Sequence, residues 1–166
     1  LQLDNYRLRI NNAIRLQKEG ELVAAVEQLK IAKEIRPNEY EVHAHLGFVY
    51  KQIQELTLAI RHFRRSLEMG NEDYSIHGHL GELLFVQKDF DGAVEQFRQL
   101  IIQKPDFADG FFSLARALMG KGDPESAEQA LRKAIRLNAD YVNAHGFLGD
   151  LLAERSDWSG AIGHYE

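Results

Sequence analysis

YSIHGHLGELLFVQKDFDGAVEQFRQLIIQKPDF, residues 74–107, decides the fold, because the chain repeats it. Its marks are Leu80-Gly81, Leu84, Ala93, Phe97, Leu100 and a closing Pro105-Asp106. Shifted back by 34 residues, the template lands on Leu46-Gly47, Tyr50, Ala59, Phe63, Ser66 and Asn71. Shifted forward by 34, it lands on Leu114-Ala115, Leu118, Ala127, Leu131, Ala134 and Ala139. A period of this length, with two helical patterns in each unit, marks stacked helical repeats rather than one globular core.

The frame divides the chain into units 6–39, 40–73, 74–107, 108–141 and a fifth from Val142 that stops at Glu166. Residues 1–5 read as the tail of a preceding unit. With no Met at residue 1 and a fifth unit cut short, the sequence reads as one repeat array, 1–166, within a longer chain. Each unit breaks in the middle, at Gly20-Glu21, Gln54-Glu55, Lys88-Asp89, Gly122-Asp123 and Ser156-Asp157. Gly ends a helix, Asp caps the next one, and Pro124 fits a first helical turn. Apolar residues recur at three and four, not at two, so the expected class is all-α, with helices in antiparallel pairs.

The eighth place of each unit holds Ala13, Gly47, Gly81, Ala115 and Gly149, and the twentieth holds Ala25, Ala59, Ala93, Ala127 and Ala161. Small residues on facing helices let two axes approach closely while larger neighbours fill the flanks.

Composition narrows the function. A formal charge of −5 offers no basic stripe to neutralise phosphates, which argues against nucleic acid as a partner. Apolar runs such as Leu83 to Val86 are far too short to span a bilayer. No Gly-rich phosphate loop, nucleophile elbow or His-Glu-x-x-His pattern is present, so no enzyme activity and no cofactor are expected of this region. The chain has no cysteine, hence no disulfide or thiolate metal site, and the compartment stays open between cytoplasm and periplasm.

Leu-Gly/Ala, Tyr/Leu, Ala, Phe and Pro at these offsets resemble the tetratricopeptide repeat (TPR), over essentially the whole chain. The chain departs from the pattern at Asn12, at the fourth-place residues Arg9, His43, His77, Phe111 and His145, and in lacking a closing Pro in units two and four. The resemblance implies a right-handed superhelical solenoid whose first helices line a concave groove that binds a protein or peptide. Family register puts Ile10, Ile14, His45, Phe48, His79, Glu82, Phe85, Phe112, Arg116, Met119, Phe147 and Asp150 on that groove, with Val86 beside them. An aromatic and Met cluster on a solvated face suits apolar anchors.

The subclass that grips chaperone C-termini uses Lys, Asn and Arg where this chain has Ile10, Ile14, His45, Ser75 and His79, so an apolar partner fits better than a carboxylate tail. Alternatives are the substrate-recognition arm of a larger enzyme such as a protein glycosyltransferase, and a bacterial assembly or secretion scaffold. Exposed repeat ends would also allow a homo-oligomer. His43/His45 and His77/His79 cannot chelate as i,i+2 pairs, which point to different faces. His45 and His79 could meet across units near Glu82, as metal ligands or as a pH-sensitive lining, while fourth-place histidines are expected to lean on the neighbouring repeat.

Overall fold

The computed structural model describes residues 2–165. They form ten helices and no strand: α1 (Gln2–Lys18), α2 (Leu22–Ile35), α3 (Tyr40–Gln52), α4 (Leu56–Glu68), α5 (Tyr74–Val86), α6 (Phe90–Gln103), α7 (Ala108–Lys121), α8 (Pro124–Leu137), α9 (Val142–Glu154) and α10 (Trp158–Tyr165). Helices α3, α5, α7 and α9 begin 34 residues apart. Residues 2–5, expected as the tail of an earlier unit, are instead the opening turn of α1.

The mid-unit break is one backbone device used five times. Gly20, Gln54, Lys88, Gly122 and Ser156 all have positive φ, between 62° and 85°. That conformation turns the next amide back over the helix end. The amides of Glu21, Glu55, Asp89, Asp123 and Asp157 then donate to the carbonyls of Leu16, Tyr50, Leu84, Leu118 and Leu152, each at 2.9 Å. Three breaks add a side-chain cap: Asp89 accepts from Gly92 N at 3.0 Å, Asp123 from Ser126 N at 3.1 Å and Asp157 from Gly160 N at 3.0 Å. Each such cap contributes about 0.5–2 kcal/mol.

Two compact units emerge, Leu1–Ile76 and His77–Glu166. In the first, α1 packs on α2 and α3 on α4, with α2 against α3. Its core joins Tyr6, Ile10, Ala13, Leu29, Val42 and Leu46. In the second, α7 packs on α8 and α9 on α10, with α6 against α7 and α8 against α9. Leu80, Leu84, Phe97, Leu118, Leu131 and Leu148 are buried there.

Close approach within each pair depends on the small residues. Ala25, Ala59, Ala93 and Ala127 are fully buried, and Ala161 nearly so. A Cβ on Gly47 would stand 2.6 Å from the Phe63 ring, and one on Gly81 would stand 2.8 Å from the Phe97 ring. Where the eighth place is Ala13 or Ala115, the twenty-fourth is the smaller Leu29 or Leu131. Volume is exchanged across the seam, Gly with Phe and Ala with Leu, which keeps the interior filled.

Candidate functional site

In the first unit, the side chains that family register assigned to a groove divide by burial. Ile10 is 3% exposed and belongs to the core beside Tyr6 and Ala13, so it offers nothing to a partner. Ile14 is half-buried against the same cluster. Phe48 is half-buried, its ring edge-on to Phe63 at 5.1 Å. His45 is half-buried, and loss of water around it lowers its pKa.

The second unit carries the more connected set. Arg116, on the third turn of α7, lays its guanidinium over the Phe85 ring of α5 at 4.6 Å and lies 5.9 Å from the Phe112 ring. Phe112 meets Phe147 of α9 edge-to-face at 5.4 Å and Tyr141 at 5.2 Å. The row Phe85, Arg116, Phe112, Phe147 therefore crosses three first helices without a gap. Phe85 is steadied from below by Phe90, edge-on at 5.6 Å. Phe112 is 9% exposed and acts as the buried link, whereas Phe147 is 41% exposed. Of the other apolar groove-register side chains here, Val86 is 64% exposed and Met119 is half-buried.

Glu82 and Asp150 are exposed, and the His79 ring nitrogen lies 3.7 Å from the Glu82 carboxylate. Tyr141 donates a very short hydrogen bond to Asp109. Burial first, then this carboxylate, raises the Tyr141 pKa, so the phenol stays protonated at neutral pH. Arg116, expected on the groove, is a stacked cation; such contacts contribute about 0.5–2 kcal/mol.

The fourth-place residues behave differently from expectation. Their ring nitrogens meet the second helix of the same repeat, nineteen residues on, not the neighbouring repeat. His43 Nδ1 lies 2.9 Å from His62 Nδ1, His77 Nδ1 lies 2.8 Å from Gln96 Oε1, and His145 Nδ1 lies 3.0 Å from His164 Nδ1. Arg9 Nη1 donates to Gln28 Oε1 at 3.0 Å in the first repeat. The signal was available at the twenty-third place, polar in four of the five units as Gln28, His62, Gln96 and His164, and Ala130 in the fourth, where Phe111 stands opposite. His62 is 7% exposed, and desolvation, then His43, Arg61 and Lys33, lower its pKa to about 4. Among the described residues, no three His, Cys, Asp or Glu side chains are grouped to hold a metal ion, and no helix is long and apolar enough to cross a membrane.

A family profile described as tetratricopeptide repeat matches residues 49–106 and 112–166. That is more than half of the sequence, and the chain belongs to this family. No match among curated proteins is found. Solved structures share the fold. MamA (residues 41 to the end) from Desulfovibrio magneticus RS-1 is 21% identical over 98% of this chain and 92% of its own, with a TM-score of 0.90. PilF of Pseudomonas aeruginosa is 22% identical over 99% of this chain and 75% of its own, at 0.78. YrrB, described as a TPR protein with an unusual peptide-binding site, is 18% identical over 94% of this chain and 80% of its own, at 0.87.

Proposed function

We propose that this chain is a non-catalytic protein-interaction module whose second unit binds an apolar-anchored peptide or protein segment across α5, α7 and α9. The TPR fold commonly serves as a scaffold for protein–protein contacts. The observation that carries the reading here is the Phe85–Arg116–Phe112–Phe147 row. An arginine between aromatic faces is held in place before any partner arrives, so less side-chain entropy is lost on binding. Aromatic residues and arginine are also the side chains that dominate interface energetics. His79, Glu82, Met119 and Asp150 form the rim, and Ile14, His45 and Phe48 are the accessible counterparts in the first unit. YrrB, described as a TPR protein with an unusual peptide-binding site, has a similar fold and is consistent with this reading.

The test is a displayed library of random peptides selected on the immobilised protein, then counter-screened on Phe85→Ala/Phe147→Ala. Both changes lie on accessible rings, and circular dichroism reports whether helicity is retained. The expected result is a consensus with one or more large apolar residues and at least about tenfold weaker binding to the double variant. Peptides that bind the folded variant equally well would refute this site.

A further inference from the structure

The fifth repeat carries a pair of imidazoles that the peptide-binding reading does not use. His145 Nε2 donates to the Ala139 carbonyl at 2.9 Å, which leaves His145 Nδ1 as an acceptor aimed at His164 Nδ1, 3.0 Å away. A ring nitrogen whose opposite N–H is tied to a backbone carbonyl is the arrangement that orients histidine for metal ligation. Both rings line a solvent-open cavity of about 530 Å³, together with Asp140 and the side-chain-free flanks of Gly146 and Gly163.

We propose that His145 and His164 form a binding site for a divalent transition-metal ion of the zinc class, with water filling the remaining positions. The ring centres are 5.2 Å apart. A metal about 2.1 Å from each nitrogen lies about 3.2 Å from each ring centre, and centres at that separation subtend about 109° at it, the tetrahedral angle. Binding therefore needs only rotation of the rings about their Cβ–Cγ bonds, so that both lone pairs converge on the cavity. The proton on His164 Nδ1 moves to Nε2, and neither ring loses its neutral state.

The second repeat supplies an internal contrast. His43 and His62 have the same spacing, 2.9 Å between nitrogens and 5.1 Å between ring centres. There, however, His62 is 7% exposed, Tyr50 stacks on its ring at 5.4 Å, and Lys33, Arg61 and Arg65 surround the pair with positive charge. A hydrated cation has no room at that pair.

The experiment is calorimetric titration of Zn²⁺ into tag-free protein at neutral pH, comparing wild type with His145→Ala, His164→Gln and His62→Gln. Gln is chosen because His77–Gln96 already makes the same interhelical contact at 2.8 Å, so His164→Gln keeps the clasp and removes one ligand. One site per chain is expected in wild type and in His62→Gln, weakened at least about tenfold in His145→Ala and His164→Gln. No binding by wild type, equal affinity in His164→Gln, or equal loss in His62→Gln would each overturn the proposal.

Discussion

Gly47→Ala tests the volume exchange that sets the distance between the helices of a pair. The added methyl would meet two Phe63 ring carbons at 2.6 Å and a third at 3.0 Å. Carbon atoms rest at about 3.5–4.0 Å, so the seam must open by roughly 1 Å. Phe63 is fully buried and wedged edge-on against Phe48, so its ring has no free volume to enter. Overpacking of this kind costs about 1–3 kcal/mol. Replacing glycine by alanine inside a helix returns up to about 1 kcal/mol. The net expectation is a loss of about 1–2 kcal/mol, read by urea denaturation of the whole chain. Phe63→Leu alone leaves a void and also destabilises, by about 1–2 kcal/mol. Together the two changes recreate the Ala13/Leu29 and Ala115/Leu131 pairing, so the double variant should recover at least about 1 kcal/mol relative to the sum of the singles. Gly146→Ala is the control: nothing lies within 4 Å of its added Cβ, and this variant should be stabilised by up to about 1 kcal/mol. Strict additivity of Gly47→Ala and Phe63→Leu, or a neutral Gly47→Ala, would refute the volume-exchange argument.

Two further outcomes follow from the repeated turn and the buried histidine. Gln54, Lys88 and Ser156 occupy a left-handed conformation that Gly20 and Gly122 adopt without strain, so changing all three to Gly should raise stability by about 1–3 kcal/mol in total; an unchanged denaturation midpoint would refute it. His62, with its pKa lowered to about 4, binds fewer protons folded than unfolded, so stability is fully present above the ordinary histidine value of 6.5 and falls as the pH drops from there toward 4, by at most about 3 kcal/mol. His62→Gln should flatten that slope in denaturation at several pH values, and a slope identical to wild type would remove His62 as its cause.

The 34-residue recurrence was enough to read helix pairs, mid-unit breaks and the small residues of the seam. These features rest on local backbone preference and on side-chain volume at fixed spacing, and both repeat with the chain. The five left-handed turns show how far that goes, since even Gln54, Lys88 and Ser156 take the geometry that Gly20 and Gly122 mark. Which groove-register side chains remain accessible was not legible, because burial depends on what a neighbouring helix places over them. Ile10 and Phe112 share the fifth place with no compositional sign of being covered, yet one joins the core of the first unit and the other disappears beneath Phe147 and Tyr141. Arg116 likewise reads only as a charge in groove register until α5 brings Phe85 beneath it. The histidines make the same point from the chemical side: their number and spacing lie in the sequence, but only the packing of one helix on the next sets His62 away from water and leaves His164 facing a cavity. Periodicity travels along the chain, whereas desolvation and electrostatic field depend on distances between residues that the chain order keeps apart.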